Sequence, residues 1–447
     1  MRYTPHTEAE IRQMLEVIGL DSVDQLFRSI PENVQQACRL DLPEALSEME
    51  VSELVEELAR SNYDPACVAS FLGGGAYDHY VPAVVGQLIS RSEFYTSYTP
   101  YQAEVSQGTL QAIYEYQSLI CRLTGMDIAN ASGYDGASVA ADAAMMACQV
   151  HGDRETVLVS ETLNPAYRRV LETYCSNSGH RIVAVPPDEG ATDRAKLGGL
   201  LDEKAACLIV QQPNFYGIVE DLGALGAGAR ETGALFAVVC DPVGLGILQP
   251  PGEAGADVAV GEGQALGVPL SYGGPYLGFF ATRDRYKRQL PGRIVGRTED
   301  SRGRTGYVLT LQTREQHIRR EKATSNICTN QALVALAATV YLALTGKQGL
   351  RRTAELCLQK AHYLAERIAG LPGWSLAWPG RPFFREFAVN APVPAAEVIE
   401  RMLQKNFLAG IDLGRFDDGL EGKMLVAVTE RRTRAQMDSF VEALGKL

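Results

Sequence analysis

The chain has 447 residues, of which 46% are hydrophobic and 21% charged, a composition typical of a soluble globular protein with two or three core-forming units. Its formal net charge of −12 argues against the basic face that nucleic-acid binding needs. No apolar run approaches the roughly 20 residues of a membrane span, and none follows the N-terminus, so neither membrane insertion nor a signal peptide is predicted. The nine cysteines are scattered without a CxxC pair, which predicts free thiols and a cytoplasmic protein, and no metal site is predicted.

The N-terminal part, residues 1–62, is predicted to be a helical segment. Thr7 and Glu10 have the spacing of a capping box ahead of apolar residues at helical intervals. Further helices are predicted to begin at Ser22 and Ser52. Their apolar faces need a surface to cover, so we expect this segment to pack on the main domain or on a partner subunit.

The next part, residues 63–107, lacks a helical period and is rich in aromatic residues. A glycine triplet precedes His79, a single histidine that is by itself weak evidence of catalysis. Downstream, Tyr95, Tyr98 and Gln102 lie in a tyrosine-rich stretch. A long surface loop pinned by tyrosines remains possible, but rings with hydroxyl groups favour an interface or a ligand wall.

The centre of the chain predicts a doubly wound α/β sheet. After an amphipathic helix at residues 108–125, Ser132 and Ser138 lead into a helix of small residues, where a phosphate-binding corner and a plain N-cap are equally possible. Continuously apolar strands then alternate with helices, as in a sheet covered on both faces. The predicted strands are residues 156–159, 181–185, 207–211, 235–240, 257–260 and 276–282.

Two polar features stand at the predicted mouth of this sheet. Asp241 follows a buried strand and is either a site residue or part of a turn-forming Asp-Pro pair. The glycine-rich stretch of residues 261–275 contains Gln264 and Ser271 but no lysine, histidine or cysteine. It therefore has the pattern of a binding loop without a nucleophile or a group for proton transfer.

The arginine-rich stretch at residues 293–320 also contains acidic residues, so we expect a solvated surface. A long apolar helix at residues 332–344 follows. Beyond it, a further helix at residues 351–368 and alternating strands and helices predict a small α+β domain. The predicted domains are therefore the helical segment 1–62, a large α/β domain at 63–325, and a linking helix with the small domain at 326–447.

Several motifs in the same order resemble one family, the glycine decarboxylases (P proteins) of the glycine cleavage system, and within it the alpha subunit (subunit 1) of the two-chain form. The resemblance covers nearly the whole chain. The motifs that carry it lie at Arg2, Tyr3, His6 and Thr7, at residues 70–75, 98–104 and 130–137, at residues 271–275 and at residues 321–331. The architecture that it implies is the fold of type I pyridoxal-phosphate (PLP) enzymes.

The resemblance implies a chemistry with defined requirements. Glycine forms an aldimine with PLP and loses its carboxylate, and the aminomethyl group passes to the lipoyl arm of the H protein. Such a site needs a Schiff-base lysine, an acid at the pyridine nitrogen and donors for the phosphate. Asp241 matches the acid, Ser132 begins the phosphate corner, and Ser271 belongs to the cofactor loop. Counting back five residues from Pro269 to the lysine position gives Gln264, which cannot form an aldimine.

The resemblance therefore implies a vestigial pocket in this chain, with PLP on the beta subunit (subunit 2) of an alpha2beta2 glycine decarboxylase. Tyr95, Tyr98 and Gln102 are candidates for acting across the interface, and Asn326 and Asn330 are weaker candidates. Two alternatives remain open. The chain is either a catalytically silent scaffold, or a self-sufficient PLP enzyme that uses another lysine such as Lys287 or Lys322.

Overall fold

The computed structural model describes residues 6–38, 41–63 and 68–447, which form two compact units that divide between Tyr63 and Asp64. Arg2 and Tyr3 of the N-terminal motif and the thiol of Cys67 lie outside the described residues. Each unit is described by itself.

The first unit is helical. Its helices are α1 (Glu8–Ile18), α2 (Glu32–Ala37) and α3 (Glu48–Arg60). The capping box at Thr7 is confirmed, since the Glu10 carboxylate accepts the Thr7 N–H at 2.7 Å. The predicted helix start at Ser52 is wrong, because Ser47 and Glu50 form a second capping box one turn earlier. The helix predicted after Ser22 is a short 3₁₀ turn, and α2 was not predicted.

The second unit is built on a seven-stranded sheet with the order β2-β10-β9-β8-β7-β3-β4. Strands β3, β4, β7, β8 and β9 run parallel, whereas β10 pairs antiparallel with β9 and β2. The predicted doubly wound sheet is thus confirmed, with an antiparallel edge. The strands as far as the end of this sheet are β1 (Ala69–Ser70), β2 (Ile128–Ala129), β3 (Thr156–Ser160), β4 (Arg181–Val185), β5 (Pro187–Asp188), β6 (Ala191–Thr192), β7 (Ala205–Gln212), β8 (Leu235–Cys240), β9 (Val258–Glu262) and β10 (Gly278–Thr282). Of these, β5 and β6 pair with each other in a separate two-stranded sheet.

Helices cover both faces of the sheet. Leu208 and Phe236 point into one buried apolar cluster, while Ile209 and Val239 point into another on the opposite face. The central strands are therefore apolar at every position, because side chains alternate between two covered faces. The helices as far as the sheet's last strand are α4 (Ala83–Ile89), α5 (Ser92–Tyr95), α6 (Gln107–Thr124), α7 (Gly136–His151), α8 (Pro165–Ser176), α9 (Arg194–Leu200) and α10 (Leu222–Thr232).

Strand β4 departs from the prediction. It was expected to be covered on both faces, but it lies at the edge of the sheet and only Val185 is fully buried. An edge strand has one neighbouring strand, and its outer residues meet solvent even when their sequence is apolar.

The arginine-rich stretch forms a hairpin of β11 (Ile294–Glu299) and β12 (Thr305–Thr310), which was not predicted. The expectation of a solvated surface is wrong for Arg293, which is 5% exposed and pairs with Glu315 at 3.4 Å. It holds for Arg297 and Arg304, which are exposed on the hairpin. The buried guanidinium also donates to the Cys328 carbonyl at 2.7 Å and so ties the hairpin to the segment before the long helix.

The C-terminal part follows one long helix that breaks at Gly346, where the backbone φ is 56°. The two predicted helices at 332–344 and 351–368 are the two halves of this helix. By length and composition alone it could cross a membrane, but Ala338 and Tyr341 are buried in the core, as in a core helix of a globular protein. After the short helix α11 (Gln316–Arg319), the helices are α12 (Ala332–Ala369), α13 (Ala395–Leu403) and α14 (Arg434–Leu444).

A second, antiparallel sheet of four strands packs on these helices in the order β13-β14-β17-β16. Phe387 and Val426 on neighbouring strands share an apolar cluster with Phe440 of α14, so the predicted strand–helix alternation is confirmed. The strands are β13 (Ser375–Leu376), β14 (Glu386–Asn390), β15 (Phe407–Leu408), β16 (Ile411–Asp412) and β17 (Lys423–Ala427), of which β15 pairs with β1.

Candidate functional site

A small cavity lies where the strand order of the seven-stranded sheet reverses, between β3 and β7. Loops that follow parallel strands diverge there and leave a crevice at the strands' carboxyl ends. The free space amounts to about 40 Å³ for a water-sized sphere, which is enough for a few water molecules. Its lining combines strand ends of the large sheet with the start of β14, and the residues are Gly75, Tyr77, Asn164, Tyr167, Gln211, Pro213, Gly217, Val239, Cys240, Asp241, Pro242, Glu262, Ala265, Phe384, Arg385 and Glu386.

Asp241 follows β8 and faces the cavity, and its carboxylate is fully engaged. One oxygen accepts the N–H groups of Val243 and Gly244 at 2.9 and 3.1 Å. The other forms an ion pair with Arg385, whose side chain is 2% exposed. A carboxylate and a guanidinium paired away from water stabilise each other, whereas either alone would be costly to bury.

Arg385 is held by residues 73–79, the glycine-rich segment that precedes α4. Its guanidinium lies 3.4 Å from the centre of the Tyr77 ring, a cation–π contact, and it also donates to His79 Nε2. The Tyr77 hydroxyl donates to Glu386 at 2.7 Å, and the same carboxylate accepts the Gly74 N–H at 2.7 Å. The segment therefore joins the large sheet to the start of β14.

The glycine triplet is required by this close approach. A Cβ on Gly73 would lie 2.1 Å from a Glu386 carboxylate oxygen, and Gly75 has a φ of 123°, which side chains rarely adopt. The sequence signal at residues 73–75 thus has a steric cause at the wall of the cavity.

Gln264 lies behind this wall and is 0% exposed. Its side-chain oxygen accepts the Tyr77 N–H at 2.9 Å, and its amino group donates to the carbonyls of Tyr77 and Val268 at 3.1 and 2.7 Å. Both N–H groups of the side-chain amide and one of the two lone pairs on its oxygen therefore have a partner. Gln264 therefore fixes the glycine-rich segment on the loop that follows β9.

Glu262, the last residue of β9, connects the cavity to the start of α7. Its carboxylate accepts the N–H groups of Gly136, Gln264 and Leu277, each at 2.9 Å. Burial raises the pKa of this carboxyl to about 7, against the opposing effect of the three donors. Gly136 can only be glycine here, since a Cβ would lie 2.1 Å from the Tyr167 hydroxyl oxygen.

Beyond Arg385, His79 donates from Nδ1 to Glu430 at 2.6 Å, since its Nε2 must accept from the guanidinium. Burial alone would raise the Glu430 pKa, but the hydrogen bonds that the carboxylate accepts from His79 and from the Tyr80 N–H outweigh it and lower the pKa to about 2. Ligand atoms of His79, Glu430 and Cys357 lie within 4.8 Å of one another, a spacing that a metal ion could use. Both ring nitrogens of His79 already form hydrogen bonds, and the Arg385 guanidinium is adjacent. These three side chains are therefore better described as part of a hydrogen-bond network around Arg385.

The structure does not bring all the sequence-predicted pocket residues together. Asp241 lines the cavity and Gln264 lies directly behind it. Ser132 is fully buried and accepts from Asn330 Nδ2 at 3.1 Å, outside the cavity lining. The Ser271 hydroxyl donates to the Pro269 carbonyl at 3.1 Å, and Ser271 does not line the cavity. Asn326 is exposed and does not line the cavity.

The tyrosine-rich segment lies on the surface of the described chain. Tyr95 and Tyr98 are 65% and 80% exposed, and Gln102 is exposed as well. Tyr101 anchors the segment, because its hydroxyl accepts from the buried Arg293 at 2.9 Å. A ring exposed to this extent is a poor wall for a ligand of this chain alone and a good contact for another chain.

The alternative lysines lie elsewhere. Lys287 pairs with Asp284 at 2.8 Å, and Lys322 is exposed. Among the described residues, no lysine lines the cavity.

Sequence reasoning missed the residues that fill the site, namely Glu262, Arg385, Glu386 and Glu430. Glu262 carried a usable signal, since it is an acid at the end of an apolar strand, like Asp241. Arg385 carried none, because its partner His79 is 306 positions away along the chain.

The residues present at this site of the chain do not fit PLP, which the resemblance places on the partner subunit. A Schiff base needs an amine where Gln264 offers a buried amide. The pyridine nitrogen needs the carboxylate of Asp241, which Arg385 already neutralises. The phosphate needs free N–H groups at a helix start, where Glu262 already accepts from Gly136.

Comparisons with known proteins agree over the whole length. A family profile described as glycine cleavage system P-protein matches residues 1–444. The chain is 56% identical over 448 residues to a probable glycine dehydrogenase (decarboxylating) subunit 1 of Prosthecochloris aestuarii, with 100% of both chains covered. A protein of the same description from Desulforamulus reducens is 53% identical over 448 residues, again with 100% of both covered.

Comparison with solved structures identifies the fold. A crystal structure of glycine decarboxylase (P-protein) of the glycine cleavage system, in inhibitor-bound form, superposes with a TM-score of 0.92 at 43% identity, with 100% of both chains covered. Glutamate decarboxylase of Lactobacillus brevis has a TM-score of 0.67 at 14% identity, over 92% of this chain and 95% of its own, and supports the type I PLP-enzyme fold alone. The chain therefore belongs to the P-protein family of the glycine cleavage system, as a subunit 1 of two-subunit glycine decarboxylase.

Proposed function

We propose that this chain is the half of glycine decarboxylase that does not hold the cofactor, and that it completes the active site of the partner subunit. The observation that carries the proposal is the buried, fully hydrogen-bonded Gln264 at the position where the family's resemblance calls for the Schiff-base lysine. A subunit 2 of related sequence supplies that lysine and PLP. The complex is alpha2beta2 and cytoplasmic.

In this complex, glycine is decarboxylated on the PLP of the partner, and the aminomethyl group passes to the lipoyl arm of the H protein. PLP supplies the electron sink for that chemistry. This chain contributes binding and positioning groups, because its own cavity offers space for only a few water molecules.

The surface that reaches the partner's site is the segment with Tyr95, Tyr98 and Gln102. Exposed tyrosines and an exposed amide give apolar contact together with hydrogen bonds, the combination that is enriched in interface cores. Tyr101 fixes the segment to Arg293, so Tyr98 is presented from an anchored backbone.

The test is to purify this chain alone, the partner alone and the complex, and to measure glycine-dependent exchange of carbon dioxide with the H protein present. We expect exchange in the complex and none in this chain alone, with the aldimine absorbance on the partner. Exchange by this chain alone would overturn the proposal.

The scaffold alternative makes a different prediction for the complex. If this chain only stabilises its partner, Tyr98→Phe and Gln102→Ala will leave turnover unchanged in an intact complex. If the segment completes the site, turnover falls while the complex persists. Tyr63→Phe, at a tyrosine that is 50% exposed in the helical unit, is the matched control.

A further inference from the structure

Three side chains of this chain occupy the positions where the resemblance would place the cofactor, namely Glu262, Arg385 and Gln264. At the start of α7, the Gly136 N–H is bound by the Glu262 carboxylate at 2.9 Å. The Ser138 N–H of the same helix start is bound by the Asp135 carboxylate at 2.8 Å. Two carboxylates therefore already take the donors that attract an anion to a helix N-terminus.

At the other end of the cavity the charge has the opposite sign. The guanidinium of Arg385 lies on Asp241, where a protonated pyridine ring would otherwise bind. It is 2% exposed and is fixed between the Tyr77 ring and His79. Displacing it would leave a buried cation without its carboxylate, which is far more costly than leaving the pair in place.

The middle of the site is closed by a neutral group. Gln264 binds Tyr77 and Val268 through three hydrogen bonds and is 0% exposed. The remaining space of about 40 Å³ is far below what a ligand with an aromatic ring and a phosphate group requires.

We propose that this pocket has an internal replacement for the cofactor, in which Glu262 takes the place of the phosphate, Arg385 that of the pyridinium and Gln264 that of the aldimine. The chain therefore excludes PLP altogether, and restoring a lysine at position 264 is not sufficient to bind it. The pocket instead joins β9 of the seven-stranded sheet, and helix α7 beside it, to β14 of the four-stranded sheet. This proposal rests on the proposed function, but it concerns retention of the cofactor by this chain and not turnover by the complex.

The first test is the full-length chain with Gln264→Lys, assembled with its partner and incubated with PLP. After borohydride reduction, peptide mapping locates the pyridoxyl label. We expect label on the partner and none on this chain, in wild type and variant alike. A label at position 264, or PLP retained by the wild-type chain alone, would overturn the proposal even if exchange activity still depends on the partner.

The second test addresses Glu262 and does not depend on PLP. In Glu262→Ala the N–H groups of Gly136 and Leu277 lose the carboxylate that accepts their hydrogen bonds. Inorganic phosphate should then take its place and raise the melting temperature of the variant by a few degrees relative to chloride at equal ionic strength. Wild type and Glu172→Ala, which removes an exposed glutamate of α8, should show no such difference. If Glu262→Ala folds poorly, its refolding yield in phosphate against chloride gives the same comparison. Equal behaviour in both salts would contradict the proposal.

Discussion

The cavity and the tyrosine-rich segment were both candidate sites, and they differ in how their polar groups are satisfied. At the cavity, the buried Arg385 pairs with Asp241, and the buried Gln264 behind the cavity wall binds Tyr77 and Val268. In the segment, Tyr98 is 80% exposed. Charged groups that pair with one another are not available to a ligand, whereas exposed rings gain by being covered. The difference assigns stability to the cavity and recognition to the segment.

Replacing the buried guanidinium should have the largest effect. Arg385→Met leaves the Asp241 carboxylate buried without a counter-ion, so we expect a loss of about 3–5 kcal/mol in the free energy of unfolding. Urea unfolding of the full chain measures it. Arg297→Met, at an exposed arginine of the β11–β12 hairpin, should change stability by less than about 0.5 kcal/mol. A loss at Arg385 no larger than in this control would mean that the network does not hold the unit together.

The hydrogen bond between His79 and Glu430, next to Arg385, should make stability depend on pH. The pKa of Glu430 is about 2 in the folded chain and lies below the ordinary value of 4.5 for a glutamate, so the ionised form stabilises the fold above pH 4.5. That contribution, roughly 3 kcal/mol, is lost as the pH falls toward 2. The difference in unfolding free energy between wild type and Glu430→Gln should therefore shrink over this range. Glu172→Gln should show no difference at any pH, and a constant gap for Glu430→Gln would refute the assignment.

The amide at position 264 offers the most direct comparison of the two regions. Gln264→Leu leaves the Tyr77 N–H and the Val268 carbonyl without partners, which should cost about 1–3 kcal/mol, while the Tyr77 carbonyl keeps the His79 N–H as its donor. The same change at Gln102 should leave the stability of the isolated chain within about 0.5 kcal/mol of wild type. Thermal unfolding of both variants measures these changes in stability. Losses of similar size at Gln264 and Gln102 would show that the two regions do not differ in this way.

The smallest effect on the isolated chain, and a selective one on assembly, is expected at Tyr98. Tyr98→Ala should leave the melting temperature of the chain unchanged but weaken its affinity for the partner about tenfold, which corresponds to about 1.4 kcal/mol. Titration calorimetry or light scattering with the partner gives the affinity. Tyr63→Ala is the control, and weakening of the same size there would show that any exposed tyrosine has this effect.

Much of the fold was predictable because local pattern and final environment agree. The spacing of apolar residues predicted α6, and continuous apolar runs predicted β7 and β8, since both faces of these strands are covered. Predictions failed where position in the sheet decides exposure. Strand β4 has the same apolar pattern as its neighbours but lies at an edge.

The sequence by itself determined the family, the order of the elements and the absence of an amine at Gln264, because these are properties of residue identity and local spacing. Only the tertiary structure decided what replaces that amine and its cofactor. Arg385 meets Asp241, and Glu262 meets Gly136, across large separations in the chain. Contacts of this kind follow from the packing of two sheets against a glycine-rich segment, and no local pattern encodes them.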